Sequence, residues 1–134
     1  VGPERLAVLH RRKKSKGVKE MPNFFAAMQA VDHPLEPVFC GGNSRPLQER
    51  EQWSSACNFF AVRPGLALTY ARNEATLVEL AGAGFRVVTA VNLLTGQEWL
   101  EEGERGVITV EGSELVRGGG GPRCMTLPLR RDDL

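Results

Sequence analysis

Four consecutive glycines, Gly118 to Gly121, run directly into Pro122, Arg123 and Cys124. No helix or strand passes comfortably through such a run, because glycine gives the backbone maximal freedom and proline then removes a donor and fixes φ. The stretch is therefore predicted to be a loop that stops abruptly at a cysteine. Beyond it, Met125, Leu127 and Leu129 alternate with Thr126 and Pro128, the pattern of a short strand that would hold Cys124 at its rim. Arg117 and Arg123 are positive charges that favour a thiolate over a thiol, making Cys124 a candidate nucleophile. The plainer readings stand beside this one: a small core side chain, and a glycine run that is only flexible surface.

Three cysteines, Cys40, Cys57 and Cys124, form an odd set with no C-x-x-C pair, and only two histidines accompany them. Neither a disulfide framework nor a metal site is expected, and a reducing, cytoplasmic setting fits best. A formal net charge of +1 gives no general field for nucleic acid, and the basic run Arg11, Arg12, Lys13, Lys14 and Lys16 reads as a solvated face. Apolar content of 42% and charge of 25% over 134 residues suit a single soluble domain. No membrane partner or secretion leader is expected, since no apolar run approaches the ~18 residues of a span. The chain starts at Val1 and reads as a piece of something longer.

Along the chain, Arg5 to Leu9 is predicted as a strand. Asn23 caps a helix whose stripe is Phe24, Ala27, Met28 and Val31, expected to cover a sheet face. Val38 to Cys40 reads as a strand ending at Gly41 and Gly42. The charged block Gln48 to Gln52 reads as a polar loop carrying Trp53, with Arg50 and Glu51 as a solvated ion pair. Phe59 to Val62 and Leu66 to Tyr70 flank Arg63-Pro64-Gly65, a type II turn signal for a hairpin. Asn73 is placed to cap a helix to about Ala81, burying Ala75, Leu77, Val78 and Leu80, and Phe85 to Ala90 is a strand. Strand, strand, helix, strand is thus the clearest module, a mixed α/β unit over Asn58 to Ala90. An amphipathic-looking QEWLEE segment follows, with Trp99 and Leu100 as satellite packing, then a short strand at Val107 to Val110. The RRDDL end reads as a charged tail.

The segments GGN at Gly41 to Asn43, EREQW at Glu49 to Trp53, RPGLALTYARN at Arg63 to Asn73 and GSELVRGGGGPRCMTLPLRRD at Gly112 to Asp132 together resemble the carboxyl-terminal part of arginine deiminase. The likeness runs from about Arg11 to the end, with 92–108 resembling an insertion. It implies an α/β fold: a partial five-bladed α/β propeller of ββαβ units, of which residues 1–134 form a single carboxyl-terminal catalytic fragment. The implied reaction is hydrolysis of arginine to citrulline and ammonia without metal or organic cofactor, with Cys124 as nucleophile. The glycine loop, Gly119 to Gly121, would shape the pocket, and Asn43 and Trp53 would line it.

Two features depart from the family pattern. The His-x-Asp motif that carries the family's catalytic histidine is missing, and His10 and His33 stand in the wrong context; the guanidinium-binding carboxylates also belong to upstream segments. Gly119 occupies the place of the arginine that binds the substrate carboxylate, leaving Arg117 or Arg123 to substitute, or a different guanidino substrate. The implied partners are that small-molecule substrate and an amino-terminal companion segment, or a second copy through self-association. A catalytically inactive fragment serving as a binding or structural module is the competing reading, and a redox-sensitive thiol a third.

Overall fold

In the computed structural model residues 7–130 are described. They fall into two units, the first ending at Pro37 and the second starting at Val38.

The first unit is built on an antiparallel pair, β1 (Val8–His10) and β2 (Lys19–Met21), with Val8 opposite Met21 and His10 opposite Lys19. Arg5 and Leu6 of the expected strand lie outside the described residues; the remainder is shifted to end at His10. Asn23 caps α1 (Phe24–Gln29) as its sequence context demands, its Oδ1 accepting the Ala26 N–H at 2.8 Å. The helix packs on both strands, as expected. Its stripe is shorter than the periodicity suggests. Six residues make fewer than two turns, so Ala27 is buried while Phe24 and Val31 remain exposed. Arg11 to Lys14 and Lys16 are all exposed.

The second unit opens differently from its prediction. Val38 to Cys40 makes no strand: nothing pairs with it, and the Gly42 N–H closes a turn on the Phe39 carbonyl at 3.1 Å. The charged block that looked like a loop is a helix, α2 (Arg45–Trp53), with Pro46 in its first turn. Periodicity misses it because the face it buries carries a carboxylate rather than a hydrophobe: Glu51 is completely buried.

That carboxylate organises the next helix. After the hairpin of β3 (Phe60–Arg63) and β4 (Leu66–Tyr70), whose turn uses Gly65 at φ +75°, the chain enters α3 (Glu74–Gly82). The first turn of α3 has unsatisfied N–H groups. Glu51 Oε1 accepts from Ala75 N at 3.0 Å, and Oε2 accepts from Thr76 N at 2.8 Å and Thr76 Oγ1 at 2.7 Å. Arg50 does reach Glu51, at 2.9 Å, yet the pair is not a solvated one. Asn73, expected to cap α3, makes no capping bond. Its side chain turns to Ser54 instead, accepting from the hydroxyl and donating to the Ser54 carbonyl. On α3, Thr76 and Leu80 are the buried residues, and Val78, assigned to the buried face, is exposed.

Strand β5 (Arg86–Thr89) leads into a short helix, α4 (Ala90–Leu94), capped by Thr89 Oγ1. The QEWLEE segment that follows is irregular, with Trp99 exposed and its indole N–H on Glu101. The last strand, β6 (Gly106–Val110), inserts between β4 and β5, parallel to both, giving the order β3-β4-β6-β5. The strand-strand-helix-strand order is therefore present, but β4 and β5 meet only through β6. Strand β6 is paired along both edges, by β4 and β5, and its burial is near-continuous. Residues 92–108 comprise the rest of α4, the irregular segment and the start of β6. The described residues are thus mixed α/β with two open sheets.

Thr69, Tyr70, Val88 and Val107 are the sheet's fully buried side chains. A Cβ at Gly112 would lie 2.3 Å from two Tyr70 ring carbons, so only glycine lets the chain leave β6 over that ring. The Tyr70 hydroxyl points to Met125 Sδ at 3.8 Å, tying the sheet core to the residue beside Cys124. Met125 to Leu129 do not form the expected strand. No strand pairs with them, Pro128 has no N–H to give a ladder, and Leu127 and Leu129 stay exposed.

Candidate active site

The glycine run serves a tight reversal. Leu115–Gly118 is a turn of 3-10 helix carrying Arg117, and Gly119 and Gly120 follow at φ +77° and +82°. Those values lie where side chains with a Cβ are strained. Gly121 and Pro122 are buried beneath the turn, and Cys124 emerges exposed, its N–H donating to the Gly121 carbonyl at 3.0 Å. Contact adds a second constraint: a Cβ at Gly120 would crowd Cys124 Cβ at 3.0 Å, and one at Gly121 would clash with Asn58 Cβ at 2.7 Å. Freedom alone, the first explanation for four glycines, leaves out this second demand.

Asn58 is the residue that sequence reading missed. It precedes β3, 66 positions before Cys124, and donates through Nδ2 to Cys124 Sγ at 2.9 Å while its Oδ1 accepts the Cys124 N–H at 3.2 Å. The bond to sulfur is the largest influence on the thiol, followed by a backbone hydrogen bond at Gly121. Slight desolvation opposes them, and the nearby Arg123 charge adds a smaller pull in their favour. The net effect holds the Cys124 thiol below the ordinary cysteine range. No local motif announces Asn58; the only signal available was its place at the mouth of a hairpin.

The other candidates separate. Arg123 lies beside the thiol, its guanidinium donating to the Thr126 carbonyl at 3.4 Å. Arg117 pairs with Glu114 at 3.2 Å and borders a hollow of about 780 Å³ together with Arg50, Arg72, Trp53 and Ser113. Trp53 lines that hollow as an exposed ring, not as a core aromatic. Asn43 is exposed in the turn before α2, where Gly41 N donates to Thr76 Oγ1 at 2.9 Å. His10 ends β1 and His33 follows α1, both in the first unit. Cys57 and Cys40 are neighbours. Although Cys57 is exposed, desolvation and then the Cys40 thiol push it up to about 11, the opposite direction from Cys124. Among the described residues, no group of three His, Cys, Asp or Glu side chains is placed to hold a metal ion, and no helix is long and apolar enough to cross a membrane.

Sheet and site together define a mixed α/β protein that presents an exposed, acidified thiol in a glycine turn. The family follows from the sequence as a whole. The family model described as arginine deiminase matches residues 6–131, and the chain belongs to that family. It is 36% identical over 121 residues to an arginine deiminase of Mycoplasma capricolum, covering 89% of this chain and 25% of that protein. Against an arginine deiminase of Streptococcus uberis it is 34% identical over 131 residues, covering 96% and 27%. With one of Streptococcus equi subsp. zooepidemicus the figures are 33% over 115 residues, 86% and 23%. The chain spans about a quarter of the length of these curated relatives.

Proposed function

We propose that this chain carries the nucleophile of a guanidino-group hydrolase that converts arginine to citrulline and ammonia. The observation that carries the reading is the exposed Cys124 thiol, held toward its ionised form by Asn58 and the glycine turn, in a chain of the arginine deiminase family. Sulfur attacks the planar guanidinium carbon, ammonia leaves with a proton, and the resulting S-alkylthiouronium is hydrolysed by water to citrulline, which regenerates the thiol. Guanidinium has its donors in a rigid fork, so carboxylates must face it and a proton carrier must serve both steps. Among the described residues neither a carboxylate nor an imidazole is hydrogen-bonded to Cys124, and we assign those groups to a companion segment. In this reading the β3-β4-α3-β5 unit is a ββαβ blade of a five-bladed propeller, the glycine turn and Arg123 face the substrate, and three free thiols suit a reducing, cytoplasmic setting.

The test is citrulline and ammonia release from L-arginine, with the chain alone and mixed with a polypeptide carrying the part of the relatives that it does not span. Acid quenching followed by mass spectrometry should find arginine less ammonia bound to Cys124. Product formation that survives Cys124→Ala, or no product and no adduct in either arrangement, overturns the proposal. One observation favours a second reading, a binding or structural module: the sheet edges β3 and β5 are open, and Trp53, Leu94, Leu127 and Leu129 are at least four-fifths exposed. Size-exclusion chromatography decides whether those surfaces self-associate; a clean monomer at micromolar concentration counts against that module.

A further inference from the structure

Two contacts converge on one amide. The Cys124 backbone N–H is a donor in every protonation state, so the Asn58 atom facing it must be the carbonyl oxygen, and the NH2 group is thereby forced to face the sulfur. The orientation of this amide is decided by the backbone, not by the thiol. Sulfur receives a hydrogen bond instead of giving one, and accepts it best as the thiolate. Because the amide grips both the N–H and the Sγ of the same residue, rotation about the Cys124 Cα–Cβ bond would break one contact. The N–H is shared with the Gly121 carbonyl, which keeps the turn itself closed.

Neighbouring residues fit this clasp from both sides. Asn58 is held by its own turn, its N–H donating to the Ser55 carbonyl at 3.0 Å. Gly121 leaves the space the amide occupies: a Cβ there would meet Asn58 Cβ at 2.7 Å and Cγ and Oδ1 at 3.0 Å. Gly120 leaves the space beside the sulfur, where a Cβ would stand 3.4 Å from Sγ.

We infer that Asn58 is the positioning residue of Cys124: its amide fixes the thiol's rotamer and presents the sulfur as an acceptor, ready to attack an electrophilic carbon. Gly121 is the residue that admits it. The inference rests on Cys124 being the reactive thiol, and it concerns how the sulfur is held whatever the substrate.

The test needs no substrate. Iodoacetamide alkylation of the intact chain is followed across pH, and the rate at each cysteine is read from its own peptide by mass spectrometry. Asn58→Asp keeps an oxygen for the Cys124 N–H, but turns the sulfur's donor into an anion. It should move the Cys124 midpoint upward and slow alkylation at neutral pH by about tenfold or more, each pH unit of midpoint being a factor of ten. Asn58→Ala should move it less, in the same direction. Gly121→Ala, which leaves the amide intact and pushes it away, should reproduce the rise. Circular dichroism checks that each variant is folded, and any two folded variants suffice. A Cys124 midpoint indifferent to Asn58 and Gly121 in folded protein overturns the inference. Failure of the proposed reaction reads separately: a midpoint that responds to Asn58, in a protein that converts no guanidino compound, keeps the clasp and discards the hydrolase.

Discussion

Within the second unit the chain solves one problem twice, seven residues apart. At Glu51 a side chain collects Ala75 N, Thr76 N and Thr76 Oγ1 in a site without solvent. At Asn58 a side chain collects Cys124 N and Cys124 Sγ at an exposed turn. The first junction is closed, because each of those donors already meets an acceptor within the chain and no other molecule can reach them. The second is open: its sulfur accepts from Asn58 and remains exposed to solvent. Structure and chemistry therefore differ less in the devices used than in whether the last partner is part of the chain.

Four changes press on that contrast. Glu51→Ala leaves Ala75 N, Thr76 N and Thr76 Oγ1 without their acceptor, and unfolding in urea should show a loss of about 2–6 kcal/mol, at about 1–3 kcal/mol for each of the two buried donors on Thr76. Burial by itself raises the Glu51 carboxyl, but hydrogen bonds from Thr76, Ala75 and Arg50 outweigh it and bring the group below its ordinary value. Its stabilisation is therefore present above the ordinary glutamate range and lost as pH falls through the depressed folded value. Acid unfolding should begin there and flatten in Glu51→Gln. The contrast breaks if Cys124 in the folded fraction also loses reactivity, which would join the two junctions.

The thiols supply a second comparison. Cys57, adjacent to Asn58, is pushed up to about 11 while Cys124 is lowered. At neutral pH Cys57 should carry about a hundredfold less thiolate than an ordinary cysteine and be alkylated last by iodoacetamide. First labelling at Cys57 would reverse the assignment of reactive and inert sulfur. Gly112→Ala forces a methyl into the Tyr70 ring and should lower stability by about 1–3 kcal/mol, measured by thermal unfolding. Because Tyr70 touches Met125, that change should also disturb the open site, as Glu51→Ala should not. Smallest of all, Arg117→Ala removes an ion pair whose two side chains are mostly exposed, and should alter stability by less than about 0.5 kcal/mol.

What the residues disclosed in advance follows the same division. The β3-β4 hairpin was legible from Pro64-Gly65, and the α1 cap from Asn23, because turn and cap chemistry are local. Helix α2 was not, since its buried side is a carboxylate whose partners lie on α3, about 25 positions later in the chain. Asn73 misled for the complementary reason: a good capping residue was taken by Ser54, and the cap came from Glu51. The cysteine stood out through its glycines, and Arg123 through adjacency. Asn58 could not, because its meaning depends on a contact across 66 residues. Arg117, close to Cys124 in the chain, faces the hollow beside α2. The strand drawn through Met125 to Leu129 failed because alternation describes one side of a ladder and says nothing of whether a second side exists.

Strand β6 is the last strand among the described residues, yet it lies inside the sheet, between β4 and β5. During synthesis, β4 and β5 emerge as rails with no rung between them, and the parallel ladder has to wait until residues up to Val110 are available. The Tyr70 core cannot be completed before those residues and Gly112 are present, and the glycine turn follows directly. Cys124 follows Val110 in the chain, so every strand of that sheet is available before the turn that carries the thiol can close.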